Sequence, residues 1–148
     1  MGRGRPVTDD LERFVTAQEG VHENALAELR SGRKRSHWMW FVFPQLTGLG
    51  RSPTAQYYAL AGLQEARAYL AHPVLGPRLL DAVATVTAAP AASADQLLGG
   101  VDAVKLRSSL TLFARAAEDP TPFTGALERW YGGVLDPETL RRLDALSG

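Results

Sequence analysis

Apolar residues recur along this chain at helical spacing, and no run alternates long enough to make a strand. Leu11, Phe14, Val15 and Gln18 stand at i, i+3, i+4 and i+7. Val21, Ala25, Leu26 and Leu29 form a second stripe, Leu75, Leu79, Val83 and Val86 a third, and Leu106, Leu110 and Phe113 a fourth. Every stretch longer than ten residues carries this 3.6-residue period, which predicts an all-α fold. Helices are expected over residues 9–18, 21–31, 54–61, 64–71, 74–88, 102–117, 122–131 and 137–146, with a brief one from Ser93 to the Gly99-Gly100 pair. Asp9 is placed to cap the first, with Glu12 at the capping-box position, while Asp102 and Asp136 are placed to cap two of the later ones. Gly32 falls where a helix turns left-handed at its C-terminus. Trp38 to Phe43 is continuously apolar and too short for periodicity to separate a strand from a helical turn, so a helical or irregular buried segment is expected there. The sum is a single compact multi-helix domain of about seven or eight helices over residues 8–148, preceded by a flexible basic arm, residues 1–7.

A chain of 148 residues with 45% hydrophobic content can bury one continuous core. No apolar run approaches the roughly 20 residues of a spanning helix, so no membrane partner is expected. Sixteen basic residues balance sixteen acidic ones. Duplex DNA is therefore disfavoured, and any anion site must come from local clustering. Cysteine is absent, which removes thiolate chemistry and fits a reducing compartment. The opening Met1 to Pro6 lacks an apolar signal core, and the expected location is cytoplasmic.

The richest stretch for chemistry is Lys34-Arg35-Ser36-His37-Trp38-Met39-Trp40-Phe41-Val42-Phe43-Pro44-Gln45, followed by a turn-rich segment with Gly48, Gly50, Arg51, Ser52 and Pro53. Two tryptophans beside a basic cluster suit a planar anionic ligand: a ring can stack while Lys34, Arg35 and Arg51 hold phosphate. The plainer reading makes the tryptophans core and the cations a solvated helix end. His37 adjoins the aromatics as an anion-binding or proton-carrying ring, or as a packed residue. His22, His37 and His72 are widely spaced without a metal-binding pattern, and neither metal nor cofactor is expected. Asp102, Lys105, Arg107, Ser108 and Ser109 crowd the start of an otherwise apolar helix. Asp102, Lys105 and Ser109 share a face, and Arg107 projects elsewhere. Gln18 continues an apolar stripe, so its amide must brace the core or face a pocket.

Several of these segments together resemble the bacterial family called domain of unknown function 1810. They are Phe14-x-x-Ala17-Gln18-x-Gly20, the Lys34 to Gln45 stretch, Gly48-x-Gly50-Arg51-Ser52, His72-Pro73-x-Leu75-Gly76, and Asp102-x-x-Lys105-Leu106-Arg107-Ser108-Ser109. That resemblance implies a helical domain and no stated activity. A second, shorter one lies in Glu12-Arg13-Phe14-Val15-Thr16-Ala17-Gln18, which is similar to a segment of the NADAR superfamily of ADP-ribose-processing proteins. It implies cleavage of an N-glycosidic bond, with Glu12 on that superfamily's glutamate. A carboxylate suits such a reaction by balancing oxocarbenium-like charge or activating water.

The expectation is a pocket for a nucleotide or ADP-ribose-like ligand, with hydrolysis of an N-glycosidic bond and Glu12 as the catalytic group. Gln18, Lys34, Arg35, His37, Trp38, Trp40, Gln45, Arg51, Ser52, Lys105, Arg107 and Ser108 would bind the ligand. The alternative is a non-catalytic protein-interaction module. Single-stranded RNA is a third reading, disfavoured by the zero net charge.

Overall fold

The computed structural model describes residues 7–147, which form ten helices: α1 (Val7–Gln18), α2 (His22–Arg30), α3 (Met39–Val42), α4 (Pro53–Tyr57), α5 (Leu63–Ala71), α6 (Leu75–Thr87), α7 (Ala94–Leu98), α8 (Gly100–Ala116), α9 (Thr121–Tyr131) and α10 (Pro137–Ser147). The count exceeds the expected seven or eight: α4 and α7 stand where short helices are expected, and α3, a turn of four residues inside the Trp38 to Phe43 segment, is too short to carry a periodic signature. Among the described residues there is no strand, and Leu46 and Leu60 form an isolated parallel bridge that closes the loop after Pro44. No described helix is long and apolar enough to cross a membrane.

Helix α8 is the centre, packed against α3, α5, α7, α9 and α10. From Ser108 to Phe113 every residue is buried, so this half is enclosed on all sides, whereas the expected stripe covered one. One core cluster extends from Leu11 in α1 to Leu143 in α10. Its aromatic part joins Phe14 to Tyr69 edge-on, Tyr69 to Phe113, and Phe113 to Phe123 in a stack.

The turn after α2 has the predicted geometry. Gly32 has φ +85°, its amide donates to the Leu29 carbonyl at 3.1 Å, and the Arg33 amide donates to the Glu28 carbonyl at 3.2 Å. These two bonds define a Schellman motif. A Cβ on Gly32 would also fall 2.6 Å from the Pro90 carbonyl oxygen, so the turn is packed as well as left-handed. Gly76 has a different reason: a Cβ there would fall 2.2 Å from the Leu70 carbonyl, and only glycine lets α6 cross α5 this closely.

Two expected caps move. Helix α1 begins at Val7, which places Asp9 inside its first turn. The capping-box contact with Glu12 depends on the Asp9 side chain, outside the described residues, as is residues 1–6 of the basic arm. Helix α8 begins at Gly100, behind Gly99 at φ +88°. Asp102 thus lies in the first turn, and its carboxylate is free for other partners. Asp136 does cap α10: its Oδ2 accepts from the Thr139 amide at 3.0 Å.

Candidate functional site

Lys34 leaves the turn after α2 and points at the first turn of α8. Its Nζ lies 2.9 Å from Asp102 Oδ2, and Lys105 Nζ lies 3.7 Å from Asp102 Oδ1. The side chains of Lys34, Asp102 and Lys105 are only 8%, 19% and 20% exposed. Each ammonium also lies near an indole, Lys34 5.1 Å from the Trp38 ring centre and Lys105 4.8 Å from that of Trp40. Two cations share one carboxylate, so the trio carries one positive charge in excess, largely out of water. Trp38 is fully buried and Trp40 half-buried. One tryptophan is therefore core and the other borders the surface.

Glu28 holds the loop that delivers Lys34. Its Oε1 accepts from the Arg35 amide at 2.7 Å, the Ser36 amide at 3.1 Å and the Trp38 indole nitrogen at 2.9 Å. Its Oε2 accepts from the Ser36 hydroxyl at 2.5 Å and from Asn24 at 3.2 Å. Burial alone would raise this carboxyl, but the Ser36 hydroxyl, the Arg35 amide, the Trp38 indole and the Ser36 amide outweigh it and hold it at about 2. Sequence reasoning missed Glu28. The available signal was its place seven residues after Val21 in the Val21, Ala25, Leu29 stripe, where a carboxylate must find donors.

The other predicted residues divide between surface and scaffold. Gln18, 2% exposed, braces the core: its Nε2 donates to the Phe41 carbonyl at 2.7 Å and to the Tyr69 hydroxyl at 3.0 Å, and its Oε1 faces Arg78 at 3.4 Å. Arg107 donates to the carbonyls of Val134 and Leu135 at 2.9 and 2.8 Å. Ser108 is buried, with its hydroxyl 3.2 Å from Asp136 Oδ2, and so helps dock α10 on α8. Ser52 caps α4 by accepting from the Ala55 amide at 3.1 Å. The Arg51 side chain is exposed at the start of that helix, and the Gln45 carbonyl accepts from the Leu60 amide at 2.9 Å in the isolated bridge. Arg35 and His37 are exposed on the loop that carries Lys34.

Glu12 is 62% exposed, and its Oε2 lies 3.4 Å from His72 Nε2. His72 Nδ1 accepts from the amides of Val74 and Leu75 at 3.1 and 3.2 Å, capping the start of α6. That acceptor role puts the ring proton on Nε2, toward Glu12. His22 is buried, and its Nε2 has no partner among the described residues. Burial first, then the Arg78 charge, lowers its pKa. No group of three metal-ligating side chains gathers among the described residues.

These features define an all-α domain with a half-buried, cation-rich aromatic site between the loop after α2 and the first turn of α8. The chain belongs to the family described as protein of unknown function, DUF1810, whose model matches residues 8–143. It is similar to the crystal structure of the conserved hypothetical protein Rv1873 from Mycobacterium tuberculosis. The two share 49% identity over 91% of this chain and 96% of that one, with a TM-score of 0.88. No curated protein matches the chain.

Proposed function

We propose that the chain binds a nucleotide or ADP-ribose-like ligand at the Lys105–Trp40 shelf. The observation that carries this reading is the Lys34–Asp102–Lys105 trio, with its excess positive charge largely removed from water. Desolvating charges costs several kcal/mol per ion even in relaxed proteins, about the scale of a domain's whole stability. Lys105 Nζ lies 3.7 Å from a carboxylate that it shares with Lys34, so its remaining donors can take up an incoming anion. A phosphate drawn to Lys105 brings its attached ring or sugar alongside Trp40, with Arg35 and His37 exposed on the neighbouring loop. Hydrolysis of an N-glycosidic bond is the reaction we assign to this reading, with the Glu12 carboxylate acting at the ribose carbon.

Thermal-shift and calorimetric titration with AMP, NAD and ADP-ribose tests the binding. Saturation at 100 times the dissociation constant is expected to add about 2.7 kcal/mol of stability, and Lys105→Met to weaken affinity at least about tenfold. No response to any of the three sinks the reading. For the reaction, Glu12→Gln is expected to lower turnover of an ADP-ribose derivative at least about a hundredfold without changing affinity. Full activity in that variant removes Glu12 from the chemistry.

A second reading, an interaction module, is favoured by one specific observation. Val101, Val104 and Val134 are 74%, 63% and 55% exposed, and Arg107 ties the Val134 carbonyl to α8 at 2.9 Å. Val101 and Val104 are three residues apart on α8 and so share a face.

A further inference from the structure

We infer that Glu28 is a positioning residue of this site: its carboxylate fixes the loop of residues 33–38 so that the Lys34 ammonium reaches Asp102, and through Asp102 reaches Lys105 and Trp40. The inference rests on the ligand-binding reading above and names what sets the geometry of that site. Two successive amides, those of Arg35 and Ser36, converge on one oxygen of Glu28 at 2.7 and 3.1 Å. Successive N–H groups aimed at one point form the concavity that elsewhere binds free phosphate or carboxylate. In this chain α2 supplies the anion covalently.

Ser36 is the joint. Its amide and hydroxyl hang on Glu28, while its carbonyl accepts from Lys34 Nζ at 2.5 Å. The same Nζ continues to Asp102 at 2.9 Å. A shift of Ser36 therefore moves the ammonium, and with it the sharing of Asp102 between Lys34 and Lys105. A carboxylate is required because the side-chain oxygens of Glu28 face only donors from the loop and from Asn24. A glutamine would turn an NH2 group toward some of them. Glu28 is only 8% exposed and acts through Lys34 without touching the ligand.

The test is a double-mutant cycle of Glu28→Gln and Lys34→Met, with ADP-ribose binding measured by calorimetry well below each variant's unfolding midpoint. Each single change is expected to weaken binding about tenfold, and the double variant to be no weaker than either single one, because both remove the same placed ammonium. Wild-type affinity in Glu28→Gln, or losses that multiply in the double variant, overturns the proposal. Ser36→Ala replaces Glu28→Gln in the cycle if the latter fails to fold. If the wild type binds none of AMP, NAD and ADP-ribose, the ligand reading has failed, and the positioning is read without ligand from the nitrogen-15 signal of the Lys34 ammonium. That signal is expected to shift in Glu28→Gln and to stay put in Arg141→Ala. An unshifted signal in Glu28→Gln overturns the positioning as well.

Discussion

Two places among the described residues share one charge formula, a carboxylate held by two cations. On α10, Glu138 pairs with Arg141 and Arg142, and the three side chains are 46%, 69% and 44% exposed. Between the loop after α2 and the start of α8, Asp102 pairs with Lys34 and Lys105 at less than half that exposure. The α10 trio is built from one helix at i+3 and i+4 spacing, and such exposed pairs contribute at most about 1 kcal/mol each. The Asp102 trio adds to one such i+3 pair, Asp102 with Lys105, a lysine from a segment distant in sequence, and keeps its excess charge where water reaches it only in part. Identical formulas therefore carry different meanings. The exposed trio is ordinary surface chemistry, and the buried one needs a supporting structure, which Glu28 and the two indoles supply.

Acid should separate the two regions most strongly. The Glu28 carboxyl is held at about 2 in the folded protein against its ordinary 4.5, so its contribution is complete above about pH 4.5 and fades as the pH falls toward 2. The amount is about 3 kcal/mol. Urea unfolding across that window should show the decline in the wild type and a flatter profile in Glu28→Gln. Equal slopes would mean that the loop is not held by this charge.

Removing the shared carboxylate is the next largest perturbation. Asp102→Ala leaves two largely buried ammoniums without their counterion and should cost about 2–3 kcal/mol, below the loss for a fully buried pair because some water reaches the site. Glu138→Ala should cost much less in the same unfolding measurement, because its partners stay solvated. Similar losses in the two variants would erase the distinction between the trios.

The smallest expected effect is that of salt. At about 1 M the screening length falls to about 3 Å, and the Glu138→Ala difference should vanish. The Asp102→Ala difference should persist, because its partners are shielded from the solvent ions. A parallel loss of both differences on adding salt would show that the Asp102 trio is as solvated as its counterpart.

Local sequence determined the longer helices and some of their ends, while the starts of α1 and α8 fell earlier than their acidic residues suggested. Apolar spacing located α2, α6 and the body of α8, Gly32 marked the turn after α2, and Asp136 marked the start of α10, because period, φ and cap chemistry are properties of a few adjacent residues. The aromatic segment and the Asp102 to Ser109 crowd were also legible as unusual composition. Only the tertiary structure decided which members gather at the candidate site. Trp38 and Trp40 are indistinguishable in sequence, yet packing buries one completely and leaves the other at the edge. Arg107 and Lys105 are two residues apart, and the helix turns the first onto the carbonyls of Val134 and Leu135 and the second onto Trp40. The pairing of Lys34 with Asp102 and the gathering of the loop by Glu28 join or reshape segments that no local rule relates. Desolvation and hydrogen bonding across separate segments exist only once the chain has folded, and those two terms select the site.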